Sequence, residues 1–301
     1  MKNLTLKQLR YFEALARYGH FGHAADACAI SQPALSVQIK ELEKSLGVDL
    51  VERGPRTVRL TAFGEIWLRR VRDILRSVDE LGEMARAAQS GLAGRLRLGV
   101  IPTIAPYLLP SLIGALRKSH PTLEIEVRET LTERLIDELA EGRIDTAIVA
   151  LPVAVPAFTE LPLFDESLML VRHQDDAAMP VPAPDDLRQM RLLMLEQGHC
   201  FRDQAMSFCH LQSATRHDGL DGSSLATLVQ MVGAGIGVTL IPEMAVEVET
   251  RSAPVAVGRF PAPEPKRTVG LIWRKTNPLA AQFTALGETI REVAANLPRP
   301  D

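Results

Sequence analysis

Trp67, Val71, Ile74, Val78, Leu81, Ala85 and Ala88 follow one another at alternating spacings of four and three residues. A 3.5-residue repeat held over three heptads lays one apolar seam along a single long helix. Arg69, Arg72, Asp79, Glu80 and Arg86 fall on its other faces. Thr61 precedes the helix as an N-cap, and Ser90-Gly91-Leu92-Ala93-Gly94 follows it as a hinge. The chain therefore divides into a part at residues 1–64, a linker helix at 65–90 and a larger part at 91–301. A one-sided helix packed on its own domain also shows such a seam. Its unbroken length favours a coiled coil joining two copies.

The chain has 301 residues, 46% hydrophobic and 24% charged, as expected of a soluble globular protein of two or three domains. No basic-then-apolar leader follows Met1 and no run of 18 apolar residues occurs, so neither export nor membrane spanning is expected. Three cysteines argue against a disulfide scaffold and for a reducing cytoplasm. The net charge of −3 hides an asymmetry, because residues 1–90 hold 14 Lys/Arg against 11 Asp/Glu. A polyanion partner belongs at that end.

That end reads as three helices and a wing. Leu6, Leu9, Phe12, Leu15 and Ala16 recur at helical spacing up to Tyr18-Gly19. Phe21 to Ala29 forms a short second helix, and Ser31 with Pro33 opens a third through Leu35, Ile39, Leu42 and Leu46 to Gly47. The pair is a helix-turn-helix whose second member lies in the major groove of double-stranded DNA. Gln32, Ser36, Gln38 and Lys40 point outward, able to bond base edges and phosphates. Asp49–Glu52 and Thr57–Leu60 are strands around Gly54-Pro55, and Arg53, Arg56 and Arg59 on this hairpin suit phosphate contacts.

Beyond the hinge, strands and helices alternate: Arg95–Val100, Ile104–Leu116, Leu123–Glu129, Thr132–Glu141 and Thr146–Ala150, a βαβαβ half of a parallel sheet. A second half runs from Leu163 to about Thr268, with strand Arg191–Leu195, helix Ser224–Val232 and strand Gly237–Ile241. Val269–Trp273 and helix Pro278–Ala295 return to the first half. No phosphate loop, dinucleotide fingerprint, metal cluster or hydrolase elbow is present, so neither cofactor nor metal is expected. Gly233-Ala234-Gly235-Ile236-Gly237 reads as a helix cap. Cys200 and Cys209 stand nine residues apart. On a helix their sulfurs face apart across a rise of ~13 Å, so a bond between them requires local unfolding. His199 and Arg202 would favour the thiolate of Cys200. An inert buried pair is the alternative.

Leu9-Arg10-Tyr11-Phe12, Phe21-Gly22-His23-Ala24-Ala25, Ser31 to Ser36, Leu42-Glu43, Leu46 to Leu50 and Leu60-Thr61-Ala62-Phe63-Gly64 resemble the winged helix-turn-helix of LysR-type transcriptional regulators. The resemblance implies that Ser31, Gln32, Pro33, Ser36, Gln38 and the wing arginines contact promoter DNA, and that Cys28 is a small core residue. It also implies an α/β effector domain of two lobes, like periplasmic binding proteins, with lobe one about 95–162 and 269–297 and lobe two about 163–268. Homodimers or homotetramers, and contact with RNA polymerase, follow from the same likeness. Ile101 to Pro110, Leu163 to Glu166, Leu193 to Met206 with Cys209, Gly237 to Pro242 and Arg267 to Leu271 are similar to the family's hydrogen-peroxide sensors. By that similarity Cys200 is peroxidatic and Cys209 resolving, with a thiol reductant resetting the pair. Thr103, Thr132, His199, Asp203 and Arg267 match positions around the peroxide. Thr103, Arg202 or Arg267 would stabilise the departing hydroxide, while the segment from His210 to Gly222 fits the pattern least. The competing readings are a small-molecule inducer in the interlobe cleft, with both cysteines idle, and a peroxidase carrying a DNA-binding domain.

Overall fold

The computed structural model describes residues 4–54, 58–87, 92, 94–183, 186–209 and 221–298. It contains two compact units, Met1–Ala85 and Arg86–Asp301.

In the first unit, α1 (Leu6–Tyr18) starts at a reciprocal cap: Thr5 accepts from the Gln8 backbone N–H while the Gln8 side chain accepts from that of Thr5. The second helix, α2, spans Phe21–Ala27 and ends two residues short of expectation, because Ala29 takes φ 52°. Ser31 caps α3 (Gln32–Leu46) by accepting from Ala34 N–H. Phe12, Leu15, Leu35, Ile39 and Leu42 are fully buried between these helices. Strands β1 (Val51–Arg53) and β2 (Val58–Leu60) pair antiparallel, with Glu52 opposite Arg59. The buried carboxylate of Glu43 accepts from Leu50 N–H at 2.9 Å and Val51 N–H at 3.2 Å, tying α3 to the wing. Gly64 allows the close approach of the following helix, since a Cβ there would lie 2.1 Å from the Leu50 carbonyl oxygen.

Helix α4 (Ala62–Ala87) divides the expected seam. Trp67 packs edge-on against Phe12 at 5.0 Å and Val71 is buried in the same core, so the first heptad serves its own unit. Farther along, Ile74 is 44% and Leu81 64% exposed. Ala88, the last seam residue, lies outside the described residues.

In the second unit, β3 (Gly94–Val100), α5 (Ala105–Ser119), β4 (Leu123–Glu129), α6 (Thr132–Ala140) and β5 (Thr146–Leu151) form the expected βαβαβ unit, with β3 parallel to both β4 and β5. Next come β6 (Phe158–His173), β7 (Leu192–Leu193), α7 (Cys200–Phe208), α8 (Leu225–Gly233), β8 (Val238–Pro242), α9 (Val246–Glu249), β9 (Val255–Arg259), β10 (Lys266–Arg274) and α10 (Ala280–Ala295). The sheet runs β4-β3-β5-β10-β6-β8-β7, with β9 also on β6. The second half is mixed rather than parallel, because β6 pairs antiparallel with β10, β8 and β9. The 16-residue β6 passes through both lobes: Phe158–Ser167 pair with β10, and Leu168–His173 with β8 and β9. One core gathers around Leu98, Leu108, Ile148 and Phe283, another around Leu170, Val229 and Ile241.

Candidate functional site

Helix α7 lies where the two cores meet. Gly198 turns the chain into it at φ 98°, a left-handed conformation that glycine adopts without strain. Any Cβ at that position would press on Leu131 at 3.0 Å. Phe201, Ala205 and Cys209, four residues apart, insert into the lobe-two core. Cys200, Asp203, Gln204, Ser207 and Phe208 instead line a cavity of about 550 Å³, with Leu151, Pro152 and Lys266 among the opposing residues. Cys200 is half-buried and packs against the lobe-one core, whereas Cys209 is wholly buried in the other. Both are free thiols.

The two cysteines are chemically unlike. Cys200 is the first residue of α7, among the free peptide N–H groups of the helix start, where negative charge is stabilised. Cys209 is the C-cap, and burial pushes its thiol up to about 11 against the opposing pull of Arg188. Arg188 Nε donates to the Cys209 carbonyl at 3.0 Å. Cys28 caps α2 and packs against the first unit's core, as expected, with its pKa raised by burial and then by Glu13.

Arg267 has no exposed side chain and binds a buried acid rather than a surface one. Its Nε donates to Glu166 Oε2 at 2.7 Å, Nη1 to Thr103 Oγ1 at 2.8 Å and Nη2 to the Thr103 carbonyl at 3.0 Å. Glu166 Oε1 accepts from Met244 N–H at 2.8 Å. The guanidinium also lies over the Phe201 ring at 5.4 Å, which joins this network to the residue after Cys200.

Three expectations require correction. Arg202 is not a free cation beside the thiol: its Nη1 donates to the Leu195 carbonyl at 2.6 Å and to Asp221 at 2.8 Å, fastening the first turn of α7 to the chain on either side. Burial lowers the pKa of His199, with Glu196 opposing, which disfavours the charged imidazolium the sequence suggested beside the thiol. Thr103 and His199 line a second cavity of about 480 Å³, with Tyr107, Glu129 and Glu249, so the thiol and Thr103 open onto different spaces. Thr132 begins α6 without acting as its cap, and its buried hydroxyl has no hydrogen-bond partner in this structure. Asp203 is exposed on the Cys200 cavity. Glu166, Arg188 and Gln204 were not singled out by the sequence; Glu166 carried a signal, as an acid inside a strand facing a basic one.

In the first unit, Gln32 and Lys40 are exposed on α3 as expected, and Pro33 is exposed beside them. Ser36 and Gln38 are half-buried, and Gln38 Nε2 donates to Glu41 at 3.1 Å. The Ser31 hydroxyl is used as the helix cap. Arg59 is exposed on β2, while the Arg53 side chain and Arg56 lie outside the described residues, as does the segment 210–220. Among the described residues no group of three metal-ligating side chains occurs, and no helix is long and apolar enough to cross a membrane.

Two protein-family models match the chain. Residues 6–65 match the model of bacterial regulatory helix-turn-helix proteins of the lysR family, and residues 89–295 match the LysR substrate binding domain. A hydrogen peroxide-inducible genes activator from Pectobacterium carotovorum is 43% identical over 96% of each chain. A full-length OxyR variant from Pseudomonas aeruginosa superposes with a TM-score of 0.76 at 37% identity, covering 96% of this chain and 98% of that one. An H2O2-bound OxyR mutant from Corynebacterium glutamicum gives 0.68 at 34% identity, covering 98% and 94%.

Proposed function

The chain belongs to the LysR family of bacterial regulators, and from that premise we propose that it controls transcription in response to hydrogen peroxide, through a reversible disulfide between Cys200 and Cys209. The observation that carries this reading is the placement of the two thiols at opposite ends of one nine-residue helix, each in a different core. The Cys200 thiolate attacks one oxygen of the peroxide, the O–O bond breaks and hydroxide departs, leaving a sulfenic acid. Condensation with the Cys209 thiol forms the S–S bond and releases water. A dithiol reductant restores both thiols. Each molecule turns over only as fast as it is re-reduced, which makes it a sensor rather than an enzyme.

The Arg267–Glu166–Thr103 network serves this scheme by holding Phe201, and Arg202 by anchoring the first turn of α7. Thr132, with its unpartnered hydroxyl, is the donor we assign to the peroxide, and Asp203 lines the cavity onto which Cys200 opens. A disulfide needs Cα atoms closer than about 7 Å, against a rise of ~13 Å along α7, so oxidation must unwind the helix. That unwinding is the signal. Promoter DNA meets α3 and the wing. The open stretch of α4 at Ile74 and Leu81 offers a surface for a second copy, with tetramers and RNA polymerase contact as further expectations. This chemistry belongs in the cytoplasm, where promoters and thiol reductants coexist.

The test is a footprint on promoter DNA with and without micromolar peroxide. The footprint should change for the parent and for Cys28→Ser, and stay fixed for Cys200→Ser. The cavity of about 480 Å³ beside Thr103 and Tyr107 favours a second reading, a small inducer held there. Under it, Cys200→Ser would leave the response to that inducer intact and peroxide would do nothing.

A further inference from the structure

Helix α3 places one apolar side chain where its own fold has no use for it. Leu35, Ile39 and Leu42 are wholly buried against the first unit's core, yet Val37, between them in sequence, is 52% exposed. Pro33 and Ala34, one turn earlier on the same face, are exposed too. A β-branched residue at an exposed helical position costs stability relative to Lys, Gln or Arg and here returns little burial. The polar neighbours that would otherwise read bases are partly committed, with Gln38 bonded to Glu41 and Ser31 serving as the cap.

We propose that Val37, with Ala34 beside it, determines sequence preference by packing on thymine C5-methyl groups in the major groove. The thymine methyl is the apolar feature a base edge presents there. Lys40 and Arg59, both exposed, hold phosphates and set the register, leaving the apolar ridge of Pro33, Ala34 and Val37 to face the bases. This rests on the DNA-reading assignment above and adds to it the group that is read.

The experiment uses the reduced full-length chain. Selection from a randomised duplex library defines the preferred half-site, and each thymine in it is then replaced singly by deoxyuridine, which removes only the methyl. For the parent, one or two replacements per half-site should weaken binding about fourfold each, the value of one buried methyl. Val37→Ala, a substitution that favours the helix, should bind the thymine and deoxyuridine duplexes almost equally. Val37→Ser should lose the same discrimination. Circular dichroism confirms that each variant keeps its helices. The proposal fails if no deoxyuridine weakens the parent, or if the penalty persists unchanged in Val37→Ala. Absence of any enriched sequence would instead overturn the DNA-reading assignment beneath it.

Discussion

Arg267 shows how much a single residue can decide. Its guanidinium is sealed from solvent and satisfied by Glu166 and Thr103, so removing it leaves a buried carboxylate whose remaining partner is the Met244 N–H. Arg267→Met is expected to destabilise the second unit by about 3–5 kcal/mol, read from denaturant unfolding of the reduced protein. Arg267→Lys restores the charge but not the forked donor set, and should recover only part of the loss. An unchanged midpoint in both would mean that the network does not hold α7.

Cys209 makes a prediction in pH. Its folded-state value is raised to about 11 from an ordinary 9.0, and a raised value means the native state keeps a proton that the opened state releases sooner. The stabilising effect of burial is therefore complete below about pH 9 and is lost as pH climbs through about 11. Hydrogen exchange at the end of α7 should show opening that grows by up to ~100-fold across that window in the reduced protein. In Cys209→Ala the rise should vanish, and a parent whose exchange ignores pH once the intrinsic rate is divided out would contradict it.

At the scale of elements, α4 separates two ways of using an apolar stripe. Val71→Asp places a charge in the core that Phe12 and Trp67 share, so it should unfold the DNA-reading unit and abolish binding outright. Ile74→Asp, on exposed surface, should leave that unit folded with its melting temperature within a few degrees, while the protein sediments as a smaller species. Sedimentation velocity with a parallel melting curve distinguishes them, and an Ile74→Asp protein of parental mass would place the contact elsewhere. The heptad was legible because periodicity is local. Its division was not, since which turns meet Phe12 depends on how α1 and α4 cross. The caps at Ser31 and Thr61 were readable, being matters of a few adjacent residues. The surroundings of Arg202 and His199 were not legible, because proximity in sequence to Cys200 says nothing of the Leu195 carbonyl, Asp221 or the burial they meet.

The whole molecule couples a modest excess of positive charge in residues 1–90 to the redox switch proposed for the α/β unit. On the proposed function, oxidation exchanges one helix for one covalent bond. The most direct measurement is quantitative peptide mapping of the full-length protein, with thiols blocked seconds after micromolar peroxide is added. A peptide linking Cys200 to Cys209 should accumulate in the parent and in Cys28→Ser. Cys209→Ser should stop at the Cys200 sulfenic acid, and Cys200→Ser should yield neither product. Peroxide-treated parent protein in which both thiols remain free, or in which Cys200 pairs with anything other than Cys209, would contradict the account.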